Sequence, residues 1–336
     1  MAEPEIATKA PESDAQADAP QPAAPLAPIA TATHSGLSEH CTSDRPTPTG
    51  QSSTGELTKL ADIDVYISKP TDYPHTPSRL LLLLTGGTGL HSVNNQIQAD
   101  RFASEGYLVV MPDLFAGDAA PNASTLTADE PTTPGSFLDT FKIKAAETAK
   151  SFLIDMWLAR HTEEKVMPIL TKVIEACKDE FADAVSHGGG VYAVGYCFGG
   201  RYVLLLGAER PAVTGRGFPW SAVSSGAGDE EAAKGKVEGP YIKAGAIAHA
   251  TLVSRGDFEG LKVPVSLVSV EDDPLFPDEV RTAGEDYMRE KGVEHEVQVY
   301  PGVPHGFAVV GEYEDANIKS AQVTAYEQML KWIKEH

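Results

Sequence analysis

Val191-Tyr192-Ala193-Val194-Gly195-Tyr196-Cys197-Phe198-Gly199-Gly200-Arg201-Tyr202-Val203-Leu204-Leu205-Leu206 decides how the chain is read. Val191 to Val194 suit a strand in the middle of a sheet, because β-branched valines pack well on a pleated, buried surface. Tyr202 to Leu206 starts an apolar helix just after two glycines. Between the two lies Gly-x-Cys-x-Gly. A nucleophile raised on so tight a strand-to-helix turn needs small neighbours two residues away on either side, since strand and helix nearly touch there. Gly195 and Gly199 meet that need. The turn also aims the amide of Phe198, at the helix start, toward an oxyanion forming beside the Cys197 sulfur. Two other readings fit the segment taken alone: a phosphate-binding loop, and a buried structural cysteine between packing glycines.

A turn of this kind requires an acid and then a histidine further along the chain. Val263 to Val270 reads as a fully buried strand, and Glu271-Asp272-Asp273-Pro274 stands at its C-terminal end, where an orienting carboxylate belongs. Glu294 to Tyr300 reads as the next strand and leads into Pro301-Gly302-Val303-Pro304-His305-Gly306-Phe307. His305 therefore sits beyond a strand end, at the edge where parallel α/β sheets gather their ligands. The order Cys197, Asp273, His305 is the one required. His249, at the end of a strand over Ala244 to Ala248, competes with His305 for the role of base.

Gly195-Tyr196-Cys197-Phe198-Gly199-Gly200, Glu271-Asp272-Asp273-Pro274-Leu275-Phe276 and His305-Gly306-Phe307 resemble the three signature segments of the dienelactone hydrolase family, most closely its fungal-type members. The likeness runs from about Gly55 to the C-terminus, through Tyr107 to Phe115 and Trp157 to His161. It implies an α/β-hydrolase fold and a Cys197, Asp273, His305 triad, and it favours His305 over His249 as base. Two departures stand out. Bacterial members carry a glutamate in the loop after the first central strand that helps deprotonate the cysteine, whereas here no acidic residue precedes Asp100. They also hold a substrate carboxylate with an arginine four residues past the histidine, where this chain has Val309. A neutral or aromatic lactone or ester is thus expected rather than a diacid.

Leu80 to Leu84 is a short apolar run with the bounds of a central strand, and Thr85-Gly86-Gly87-Thr88-Gly89-Leu90-His91 follows it. Glycines leave backbone amides free to approach a substrate, so the Gly87 amide is the expected second oxyanion donor, beside that of Phe198. Thr88, His91, Trp157 and Phe307 are the expected pocket residues, with Arg160 and His161 nearby. Ile63, Val65 and Ile67 alternate with polar residues as an edge strand does, and Tyr107 to Met111 and Trp220 to Val223 read as further strands. Helices are expected over Asn94 to Glu105, Ser136 to Thr162, Glu163 to Val185, Asp278 to Lys291 and Glu314 to Lys334. Ala116 to Gly135 has no period and follows a strand end, where either a lid or a plain surface loop would hang. Cys177 falls among Val173, Ile174 and Phe181 as a core residue.

The 336 residues, 42% of them apolar, can bury a full core, and a net charge of -21 disfavours nucleic acid or an anionic membrane as partner. Three cysteines without Cys-x-x-Cys form no disulfide framework, which suits a reducing, cytoplasmic setting. Residues 1–54 are rich in Ala, Pro, Ser, Thr and acids, and read as a disordered acidic tail before an α/β-hydrolase domain over 55–336. The start is neither a secretory signal nor a basic presequence, and no run reaches the length of a membrane span. The histidines lack metal-ligand spacing, and no cofactor or metal is called for. The expected function is hydrolysis of a lactone, activated ester or thioester through an acyl-cysteine, with a small molecule as the partner and the oligomeric state open. The competing class is a hydrolase-fold binding module, weakened as a catalyst by the missing loop acid.

Overall fold

The computed structural model of the protein describes residues 39–121, 151–211 and 237–336, with side chains from residue 41 onward. The first 38 residues of the expected tail, most of the lid segment, the helix start over 136–150 and the strand expected at Trp220 to Val223 lie outside these. Among the described residues an eight-stranded sheet runs in the order β1-β2-β4-β3-β5-β8-β9-β10. Its strands are β1 (Glu56–Leu60), β2 (Ile63–Ser68), β3 (Arg79–Leu84), β4 (Tyr107–Pro112), β5 (Val191–Tyr196), β8 (Ala244–Ala248), β9 (Val265–Val270) and β10 (His295–Tyr300). A two-stranded ribbon, β6 (Arg210–Pro211) with β7 (Val237–Glu238), stands apart. From β4 to β10 every pairing is parallel, while β1 and β2 pair antiparallel at one edge.

The leucine run explains why the centre reads as unbroken hydrophobicity. Leu80, Leu82 and Leu84 pack on one face of the sheet with Val166, Leu170 and Cys177 of α4 (Glu163–Glu180) and with α6 (Phe198–Gly207). Leu81 and Leu83 pack on the other, with Phe102 of α2 (Val93–Ser104) and Met329 of α8 (Ala316–Glu335). A parallel strand covered on both sides has no solvent face to mark with polar residues. The remaining helices are α1 (Glu39–Thr42), α3 over 151–160, α5 (Ala182–Gly188) and α7 (Asp278–Lys291). The expected helix from Glu163 to Val185 is two helices, α4 and α5, broken at Phe181 (φ -121, ψ 41). β1 was not expected either, because four of its five residues are exposed and carry no apolar period.

The chain joins this fold earlier than residue 55. Cys41 is buried, Ser92 Oγ donates to Asp44 Oδ1 (2.8 Å), Asn94 Nδ2 donates to the Arg45 carbonyl (2.7 Å), and Glu312 N donates to the Pro46 carbonyl (2.8 Å). Residues between 41 and 54 are thus fastened to the body on the N-terminal side of the domain start expected at residue 55. Composition did not reveal it because hydrogen bonds, more than apolar burial, fasten this segment. No helix among the described residues is long and apolar enough to cross a membrane.

Candidate active site

Cys197 joins β5 to α6 with φ 50 and ψ -116, a left-handed conformation that costs a non-glycine residue about 1–3 kcal/mol. The surroundings hold it there. Its amide donates to the Ala248 carbonyl (3.1 Å), and its carbonyl accepts from the amides of Gly200 (3.0 Å) and Thr251 (3.1 Å). The two flanking glycines are required by contact: a Cβ on Gly195 would lie 2.6 Å from the Gly199 carbonyl oxygen, and one on Gly199 would collide with the Leu84 carbonyl. The strand-helix approach inferred from the sequence is thus present in the backbone itself.

The C-terminal ends of β9 and β10 bring Asp273 and His305 to the same edge. Of the acidic run Glu271-Asp272-Asp273, only Asp273 is buried. Its Oδ1 accepts from the Leu275 amide (3.0 Å), and its Oδ2 accepts from His305 Nδ1 at 2.6 Å. The other ring nitrogen, His305 Nε2, lies 3.2 Å from Thr251 Oγ1, which lies 3.2 Å from Cys197 Sγ. Cys197, Thr251, His305 and Asp273 are all buried in this chain of contacts. His249 is buried too, with its ring 5.0 Å from that of His305, but the contact with Asp273 belongs to His305.

The next neighbour is not signalled by any motif: Cys41 Sγ lies 3.1 Å from Cys197 Sγ. The two sulfurs and a ring nitrogen of His305 lie within 4.8 Å of one another, a convergence of donors drawn from three distant parts of the chain. No disulfide is formed. Burial opposes ionisation of Cys197, but the contact with Cys41, the nearness and charge of His305 and the Thr251 hydroxyl outweigh it and hold the thiol well below its ordinary pKa. Burial likewise opposes a charged His305, yet the contacts with Asp273 and Cys197 raise it to about 9. Thiolate and imidazolium thus stabilise each other. Cys177 is the contrast, with burial pushing its thiol up to about 12.

The amides of Phe198 and Gly87 both lack a protein acceptor among the described residues. A Cβ on Gly87 would lie 2.6 Å from the Cys41 carbonyl oxygen, so only glycine fits beneath the N-terminal segment. Thr88 lines a cavity of about 30 Å³ with Cys41, Gly86, Asn95 and Cys197, and receives a hydrogen bond from Asn95 Nδ2 (3.0 Å). A larger cleft of about 500 Å³ opens beside Phe198 and Thr251, walled by Leu158, His161, Arg201 and Tyr202. The other expected pocket residues stand elsewhere. His91 is exposed on the loop and lines neither space. Trp157 is fully buried behind Phe198, with its Nε1 donating to the Asp118 carbonyl (2.6 Å), and Phe307 is fully buried against Tyr300. Both are packed from all sides, as large aromatics at a site's base often are. Thr251 and Cys41 were missed because neither belongs to a periodic element or a recognised motif.

The family model for dienelactone hydrolases matches residues 63–220 and 227–336. The chain is 30% identical to the hydrolase tropI of Talaromyces stipitatus, over 84% of this chain and 90% of that protein. It is 27% identical to dienlactone hydrolase 1 of Gibberella moniliformis, over 83% and 87%. Among solved structures, a dienelactone hydrolase from Klebsiella pneumoniae superposes with a TM-score of 0.55 at 17% identity, covering 84% of this chain and 99% of that one, a likeness of fold. With the family model spanning most of its length, the chain belongs to the dienelactone hydrolase family.

Proposed function

We propose that this ester or lactone hydrolase works through Cys197 as nucleophile, His305 as base and acid, and Asp273 as the group that orients and charges His305. The observation that carries the proposal is the contact chain from Asp273 Oδ2 through His305 to Thr251 Oγ1 and Cys197 Sγ, buried at the carboxyl edge of the sheet. The thiolate attacks the carbonyl carbon, and the oxyanion is received by the amides of Phe198 and Gly87. Collapse expels the alkoxide, which takes a proton from the His305 imidazolium. Neutral His305 then activates the water that hydrolyses the thioester.

The loop after β3 carries no acid, so the help that bacterial relatives draw from a glutamate must come from another source. Cys41 and His305 meet that need by stabilising the thiolate before substrate arrives. This argues against the binding-module reading. Apolar walls from Leu158, Phe198 and Tyr202 suit a neutral or aromatic acyl or alcohol portion in the larger cleft. A good leaving group is favoured, because a thiolate expels amide nitrogen poorly. The test is turnover of a panel of lactones, aryl esters and acyl thioesters by the wild type and Cys197→Ala. Hydrolysis should vanish in the variant, and full activity there would end the proposal.

A further inference from the structure

We propose that Cys41 is a resolving cysteine: with a hydroperoxide as oxidant it closes a reversible disulfide with Cys197 and so switches the hydrolase off. The loss of hydrolysis rests on the proposed role of Cys197 as nucleophile, whereas the covalent link can be read without any substrate, so failure of the link and failure of the catalytic role are distinguishable.

Three observations carry it. First, the two sulfurs are already 3.1 Å apart although 156 residues separate them in the chain. A disulfide needs about 2.05 Å, a closing movement of roughly 1 Å. Second, Cys41 is held in place rather than drifting on a loose end. The segment it begins is tied to the body through Asp44 to Ser92, Arg45 and Thr47 to Asn94, and Pro46 to Glu312. Third, Cys41 and Cys197 both line the cavity of about 30 Å³, about twice the roughly 10–15 Å³ that one water needs. Hydrogen peroxide, one oxygen atom larger than water, is the oxidant of matching size.

The chemistry closes without further reagents. The Cys197 thiolate attacks one peroxide oxygen, the O–O bond breaks, and the departing hydroxide takes the proton of His305 to leave as water, giving a sulfenic acid at Cys197. The Cys41 sulfur, losing its proton to the neutral His305, then attacks the Cys197 sulfur. The S–O bond breaks and hydroxide leaves with that proton as a second water. Two thiols and one peroxide thus become one disulfide and two waters, with two electrons passed to the peroxide. Without Cys41 the sulfenic acid stays open to further peroxide and proceeds to the sulfinic acid, which thiols do not reverse. A dithiol attacks the Cys41–Cys197 bond and restores both thiols.

The test treats the full-length reduced protein with hydrogen peroxide in the presence of a chelator, then applies intact mass measurement and non-reducing peptide mapping. The wild type should lose the mass of two hydrogens and yield a Cys41–Cys197 linked peptide, and dithiothreitol should return the original mass. Cys177→Ala should behave in the same way. Cys41→Ser should gain the mass of two oxygens at Cys197 and keep it under dithiothreitol. Because the wild-type link is read on its own, a Cys41→Ser protein that folds poorly leaves the test intact. Wild-type Cys197 accumulating two or three oxygens with no link to Cys41, or a link through Cys177, would overturn the proposal.

Discussion

Replacing Asp273 by Asn tests whether the buried carboxylate sets the charge of the site. The change keeps the size of the side chain and removes its negative charge beside His305 Nδ1, 2.6 Å away. Raising an imidazole from 6.5 to about 9 corresponds to roughly 3 kcal/mol in favour of the charged ring. Burial works in the opposite direction, so the contacts with Asp273 and Cys197 together supply more than that net preference. Without the carboxylate, His305 should titrate lower than in the wild type, because only Cys197 is then left to oppose the cost of burying the charged ring. The thiol of Cys197 should then rise, since part of its stabilisation is the charge on His305. Loss of an orienting aspartate in a comparable triad lowers turnover by roughly 10,000-fold, and a fall of about 1,000- to 10,000-fold in kcat/KM on an activated aryl ester is expected here. The assay pairs that measurement with the pH dependence of iodoacetamide labelling at Cys197, which should move to higher pH in the variant, and with a thermal melt to show that the fold persists. Activity within about tenfold of wild type, together with an unmoved labelling profile, would refute the charge argument.

Iodoacetamide should distinguish the thiols of the wild type directly. At pH 6 an ordinary thiol with a pKa near 8.5 is only about 0.3% ionised, so rapid labelling of Cys197 there, with Cys177 untouched, is the expected pattern. The sign follows from the directions of the two shifts: the thiolate-imidazolium pair is lost on the acid side as pH falls through the lowered value of Cys197, and on the basic side as pH rises through about 9. Hydrolysis, which needs the imidazolium to protonate the leaving group, should decline above that upper limit in a pH-rate profile. Gly199→Ala should destabilise the protein by about 2 kcal/mol or more in a denaturant titration, because its Cβ meets the fixed Leu84 carbonyl rather than a yielding side chain. Wild-type stability in that variant would contradict the strand-helix approach described for the turn.

What could be read from the sequence follows from what leaves a periodic or positional mark. Leu80 to Leu84, Val191 to Val194 and Val263 to Val270 announce buried parallel strands by composition, and the loops that follow them fix where function can sit. Cys197 and Asp273 could be picked out because each follows such a strand, and His305 because it lies beyond the alternating, half-exposed strand β10; their side chains lie along one chain of contacts through Thr251. Asp273 could not be chosen over Glu271 and Asp272 by composition alone; burial makes the choice. β1 stayed hidden because an exposed edge hairpin alternates too weakly, and Thr251 because a hydroxyl in a connecting loop has no pattern around it. Cys41 was hidden most deeply. It lies in a segment whose Pro- and Thr-rich composition resembles a solvated tail, yet polar side chains of α2 hold that segment over the site. A tie made of scattered hydrogen bonds leaves no period to detect.

The central claim is that acyl transfer passes through the sulfur of Cys197, and the most direct measurement is to trap that intermediate. The full-length protein would be mixed with an excess of a p-nitrophenyl ester, quenched in acid during the first turnovers, digested and mapped by mass spectrometry. An acyl group carried as a hydroxylamine-sensitive thioester on the Cys197 peptide, and absent from Cys197→Ala, is the predicted result. Steady hydrolysis with the acyl group on another side chain, or undiminished turnover in Cys197→Ala, would contradict it.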